Sequence, residues 1–237
     1  MPIESASRTH VGHRRKLNED ALLVSPGGSI WAVADGMGGH EAGEVASAMV
    51  IDALSALAPA DSLTNHLGKA IGALESVNAA LIAFAQSLGE GRTIGSTVVG
   101  LVAEGDEFAC FWVGDSRALR LRGAEVTQIT RDHSLVQDLV DAGMLEAERA
   151  DDHPNANILT RAVGASDALK VDSVRGRIVA GDTFVLASDG LTRLVRPDEI
   201  AQVLAGAASD AAAERLLDMA LSRGAPDNVS LVIVRFG

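Results

Sequence analysis

The chain has 237 residues and a formal charge of −12, with a single cysteine, no tyrosine, two tryptophans and five phenylalanines. That length buries a core without staples, and Cys110 has no partner for an intramolecular disulfide. The excess of 32 acidic over 20 basic residues, with so few rings for stacking, sets nucleic acid aside as a partner, and any anion the chain binds must meet concentrated cations or recruited metal ions.

The N-terminal MPIESASRTHVGHRRK lacks the apolar centre of a signal peptide, and no apolar run reads as long enough for a membrane span, so a soluble, cytoplasmic chain without a membrane partner is expected. Strands are predicted at 21–24 and 30–34, followed by helices at 41–57 and 62–88. The second helix sets Leu67, Ile71, Leu74, Asn78, Leu81, Ala85 and Leu88 along one face. Strands at 97–103, 107–113 and 118–122 lead into a polar, irregular segment at about 131–165, which holds a short helical piece at 134–142 and reads as an insertion over the core. Strands at 171–174 and 183–187, helices at 197–205 and 210–222, and a strand at 229–236 complete the order, with Pro197 suited to a first helical turn. No repeat, low-complexity tract or linker divides the chain, so one domain over 1–237 is expected. Consecutive strands joined by turns as short as AEGDE imply antiparallel pairing, and an α+β sandwich fits better than a βαβ repeat.

Apolar strands repeatedly deliver one carboxylate: WAVADG ends in Asp35, CFWVGDS in Asp115 and FVLASDG in Asp189. NEDALLV and PDNVSLVIV do the mirror image, with Glu19, Asp20 and Asp227 ahead of a strand. Antiparallel neighbours begin and end at the same rim, so these acids gather there. One Asp-Gly after a strand is ordinarily a turn, but five coincident instances are not. Converging carboxylates repel unless a cation neutralises them, and an all-oxygen set suits Mg²⁺ or Mn²⁺; no cysteine cluster or HExxH spacing points to zinc. The rival is a phosphate-cradling turn. It fails on the letters, because Gly36 and Gly38 are followed by Glu41 where a dinucleotide fingerprint needs its third glycine, and no GxxxxGK[ST] occurs.

RKLNED, VADGMGGHEAGEVAS, GST, VGDSRALRL, DHSLVQ, HPNANILTRAVG, LASDGL and PDNVSLVIV, in that order from Arg15 to the C-terminus, resemble the motif set of bacterial metal-dependent Ser/Thr protein phosphatases of type 2C. The resemblance implies a four-layer α-β-β-α sandwich of two mostly antiparallel sheets flanked by helix pairs, with a two-metal Mn²⁺ or Mg²⁺ centre. It implies that Asp35 bridges the metals, that the Gly36 carbonyl completes one site, and that Asp189 and Asp227 hold the other side. Glu19 and Asp20 act through water, and Asp115 with Asp189 binds a third, weaker ion. Arg15 is the phosphate-binding residue of the pattern, where its neighbours alone would make it a solvated cluster. Animal members carry a histidine directly after the Asp-Gly pair, where this chain has Met37; bacterial members resemble it in placing one three residues later, at His40. His133 and His153 are expected to be structural.

The implied reaction is hydrolysis of phosphoserine or phosphothreonine in proteins by a water activated between two metals, with no phosphoenzyme and with His40 or a metal-held water protonating the departing oxygen. The insertion is expected to gate substrate entry. The partners expected are phosphoproteins and a cognate Ser/Thr kinase, and the chain is expected to be a monomer. Two alternatives stand beside this: a phosphatase dedicated to a sigma-factor regulator, and a catalytically silent phosphoprotein-binding module of the same fold.

Overall fold

The structure, a computed structural model, describes every residue except 26, 27, 39–41, 59 and 90. Numbered along the chain, one sheet runs in the order β1 (Ile3–His10), β11 (Val229–Phe236), β10 (Thr183–Ala187), β7 (Arg117–Arg122), β8 (Glu125–Gln128). The other runs β2 (Asp20–Val24), β3 (Ile30–Met37), β5 (Val98–Glu104), β6 (Glu107–Val113), β9 (Asp172–Arg177), with β4 (Gly95–Ser96) beside the far end of β3. The pairings between these strands are antiparallel.

Helices α1 (Ala42–Ser55) and α2 (Leu63–Ser87) cover one outer face, and α5 (Pro197–Gly206) and α6 (Ser209–Ser222) cover the other, giving the expected α-β-β-α order. The periodicity of β3 shows how the layers close. Trp31 and Val33 point between the sheets, whereas Ala32 and Ala34 point to α1 and α2. On β11, Val232 and Val234 face the other sheet while Leu231 and Ile233 face α5 and α6. Burial on both faces explains why these strands read as continuous apolar runs. Phe184 sits between the sheets, edge-on to Phe108 at 4.8 Å and to Phe236 at 5.8 Å between ring centroids.

Contrary to the expectation that no apolar run is long enough for a membrane span, α2, at 25 residues, is long and apolar enough by length and composition. Its apolar residues form a stripe, and Leu67, Leu74, Asn78, Leu81 and Ala85 are buried as expected, with Leu88 exposed at the C-cap. Asn78 is the polar member of that stripe because it is satisfied: it donates to the Ser166 carbonyl at 2.9 Å and accepts from Gly164 N at 2.6 Å. Ser62 caps the helix by accepting from Asn65 N at 3.3 Å.

Elements with no counterpart in the sequence reading include β1, β4, β8 and the short α4 (Asp189–Thr192). The strand expected at 171–174 runs instead over Asp172–Arg177 at a sheet edge, and the helical piece of the 131–165 segment is α3 (Leu135–Asp141), capped by Ser134. The expected start of α1 at Glu41 lies outside the described residues.

Candidate active site

Strand register brings the acids together. Asp20, the first residue of β2, stands directly across from Asp35. The sequence placed Asp35 just after a strand ending at Ala34; instead β3 continues through it to Met37, because Gly36 and Met37 pair with Ser96 and Gly95 of β4. Asp115 lies in the short turn between β6 and β7, Asp189 opens α4 just after β10, and Asp227 precedes β11. Because β10 and β11 are antiparallel neighbours, those last two meet at one end, where Ser188 N donates to the Ser230 carbonyl at 3.0 Å.

A cavity of about 250 Å³ opens at this rim, walled by Asp35, Asp115, Asp189, Asp227 and Glu19, with Arg15 at its edge. Asp20 is buried and is not part of that wall. Two glycines are required by close approach. A Cβ on Gly36 would stand 1.9 Å from the Gly43 carbonyl oxygen, so α1 reaches β3 only without one, and a Cβ on Gly190 would stand 1.9 Å from the Asn228 carbonyl oxygen.

Side chains not singled out in the sequence hold the acids in place. Asn228 accepts from Glu19 N at 2.8 Å and donates to the carbonyls of Val11 and Leu17 at 2.9 Å each, stapling the loop that carries Arg15. Thr97 Oγ1 accepts from Asp35 N at 3.2 Å and shares a 2.7 Å hydrogen bond with Ser116, which ties β3 to the Asp115 turn. Ser188 donates to Asp20 Oδ2 at 2.8 Å. Asn228, Thr97, Ser188 and Ser116 lie inside the quoted motifs PDNVSLVIV, GST, LASDGL and VGDSRALRL, so a signal existed. Arg193 lies in none of them.

Burial, reinforced by Asp20, Asp189, Asp115 and Asp227, pushes the Asp35 carboxyl well above the usual carboxylate range. Burial raises Asp20 to about 7 despite the hydrogen bonds of Ser230 and Ser188. It raises Asp115 to about 7 with the help of Asp189 and against Arg193, and it raises Asp189 against the same arginine. Two arginines answer part of this charge. Arg15 Nη2 lies 2.7 Å from Asp227 Oδ2, and Arg193 Nη2 lies 3.1 Å from both Asp115 Oδ2 and Asp189 Oδ2.

Among the described residues, no three acidic, histidine or cysteine side chains stand as a ready-formed ligand shell. The oxygens available nonetheless fit hard cations. Oδ1 of Asp20 and Oδ1 of Asp189 are buried with no hydrogen-bond partner, a costly condition that an oxygen-seeking divalent ion would relieve. His40 lies outside the described residues. His133 braces the base of the 131–165 segment, accepting from Gly114 N at 3.1 Å, 3.1 Å from Asp172 Oδ2 and stacked on Trp112. From that segment, Asn157 and Leu159 reach the cavity.

The family model of protein phosphatase 2C matches residues 8–223. Over 233 residues the chain is 37% identical to the serine/threonine protein phosphatase PstP of Mycobacterium tuberculosis, covering 98% of this chain and 45% of that one, so it spans about half of that relative's length. It is 35% identical over 238 residues to the serine/threonine phosphatase stp of Listeria monocytogenes, with 96% of this chain and 93% of that one covered. Among solved structures, PppA, described as a key regulatory component of T6SS in Pseudomonas aeruginosa, superposes with a TM-score of 0.91 at 41% identity over 98% of this chain and 97% of that one. The catalytic domain of the serine/threonine protein phosphatase PstP in complex with two manganese ions superposes with a TM-score of 0.88 at 35% identity, covering 98% and 97%. The acids that break the apolar strands thus sit in a fold shared with a manganese-binding phosphatase domain, and by its sequence from residue 8 to residue 223 the chain belongs to the protein phosphatase 2C family.

Proposed function

We propose that the chain is a single catalytic domain that hydrolyses phosphoserine and phosphothreonine esters in proteins, using two divalent cations. The observation that carries this is the convergence of Asp35, Asp115, Asp189, Asp227 and Glu19 on one cavity beside Arg15. Asp35, the Gly36 carbonyl, Asp189 and Asp227 would hold two Mn²⁺ or Mg²⁺ ions, with Glu19 and Asp20 acting through water. When bound, such a pair supplies an activated water as nucleophile and neutralises charge on the phosphoryl group.

The chain's own residues do the rest. Arg15, half-exposed at the cavity edge, swings from Asp227 to the phosphoryl oxygens, where a guanidinium fork suits two of them. Asn228 and Thr97 keep Glu19 and Asp35 from moving as charge enters the site. His40 is the proposed proton donor to the departing serine or threonine oxygen. The 131–165 segment, through Asn157 and Leu159, gates entry. A monomer in the cytoplasm, acting on phosphoproteins and opposing a Ser/Thr kinase, completes the proposal.

Phosphate release from phosphoserine, phosphothreonine and phosphotyrosine peptides, titrated with Mn²⁺, Mg²⁺ and chelator, tests it. Metal-dependent release from the serine and threonine peptides is expected. Phosphopeptide binding with no release at any metal concentration would replace the enzyme with a silent binding module.

A further inference from the structure

Arg193 follows α4 directly, four residues after Asp189, so one helical turn carries its side chain back over that carboxylate. Its Nη2 donates to Asp115 Oδ2 at 3.1 Å and to the Ala156 carbonyl at 3.0 Å, and lies 3.1 Å from Asp189 Oδ2. Its Nη1 donates to Asn157 Oδ1. One guanidinium therefore touches the buried carboxylate of Asp115 and the partly buried one of Asp189 on one side, and two residues of the 131–165 segment on the other. A small cation placed between Asp115 and Asp189 neutralises the same pair but has no arm for Ala156 and Asn157.

We propose that Arg193 is a built-in cation, standing between Asp115 and Asp189 where a third metal ion would bind, and that it latches the 131–165 segment over the cavity through Ala156 and Asn157. The third-ion half rests on the metal-centre reading above; the latch half does not. Arg193 is a positioning residue, since it acts through the carboxylates and the segment and touches no substrate. Loading of a third ion and release of the segment become one event, because the guanidinium leaves both sets of partners when it swings away. Competition for Asp115 and Asp189 makes the two exclusive.

The test compares the full native chain with Arg193→Ala and Arg193→Gln. Bound Mn²⁺ is counted from the signal of the free ion, and tryptic cleavage at Arg149, an exposed site within the segment, is timed in chelator. The expected result is two ions on the native chain, a third ion on both variants, and cleavage at Arg149 faster by roughly tenfold, within the range of ordinary coupling between sites. Arg193→Gln, which keeps a donor for Asn157, carries the same comparison if the alanine variant does not fold. Unchanged stoichiometry and unchanged cleavage in a folded variant overturn the proposal, as does native protein that binds three ions. Native protein that binds no Mn²⁺ overturns the metal-centre reading and the third-ion half with it, and cleavage in chelator still decides the latch.

Discussion

Stripped of divalent cations, the chain will lose stability as pH rises from 5 to 8. Asp20 and Asp115 are raised from 3.8 to about 7 in the folded chain. Between those values the folded state binds more protons than the unfolded one, so this stability is fully present below 3.8 and is lost as pH climbs through about 7. From pH 5 to 7, one such group accounts for about 2 pH units, or ~3 kcal/mol. The carboxylates share one field and release protons as a set, so the total lies at roughly 3–6 kcal/mol, against a stability of ~5–15 kcal/mol for a typical domain. At ~2–4 °C per kcal/mol for a chain of this size, Tm falls by roughly 10 °C. Thermal unfolding in chelator at pH 5, 6, 7 and 8, repeated with millimolar Mn²⁺, measures it. The metal flattens the slope, and Asp20→Asn reduces it in chelator, because the amide oxygen still accepts from Ser188 while one titrating group is gone. A metal-free Tm that is level or rising across this range, with Asp20→Asn behaving as native, refutes the electrostatic account.

Gly36→Ala will push α1 off β3, because its Cβ meets the Gly43 carbonyl at 1.9 Å; a loss of ~3 kcal/mol in urea unfolding is expected, and native stability would show that the helix yields freely. Asn228→Ala removes bonds to Glu19, Val11 and Leu17 and will cost ~2–3 kcal/mol while weakening Mn²⁺ retention measured by dialysis; undiminished retention would separate the staple from the metal centre. Arg15→Ala will lower kcat/KM on a phosphothreonine peptide by about 10- to 100-fold, and Arg15→Lys will recover only part of it, since an ammonium lacks the fork. Full recovery by lysine would reduce Arg15 to a point charge.

The sandwich was legible where strands are buried on both faces. β5, β6, β10 and β11 stand out as apolar runs because helices cover one side and the other sheet covers the other. β1 was invisible for the opposite reason. Only Ala6 of IESASRTH is buried, and the strand is held by its backbone ladder to β11, from Ile3 opposite Phe236 to His10 opposite Val229. The two-residue β4 has too little sequence to announce itself, which is why β3 seemed to stop at Ala34 rather than run through Asp35. The acids were legible because each interrupts or borders an apolar run. Which side chains hold them was not: Asn228 lies in a motif but meets Glu19 across 209 positions, Arg193 lies in none and meets Asp115 across 78, and only the folded topology joins such pairs.

As proposed above, Asp35 and its neighbours form a divalent metal centre that drives phosphoester hydrolysis. The deciding measurement is phosphate release from a phosphothreonine peptide, with Mn²⁺ and with chelator, comparing the native chain with Asp35→Asn after matching their circular dichroism. Native turnover that chelator abolishes is expected, with a fall of about 10³-fold, ~4 kcal/mol of activation free energy, in the folded variant. Turnover that proceeds in chelator, or a folded Asp35→Asn chain as fast as native with Mn²⁺, would contradict it.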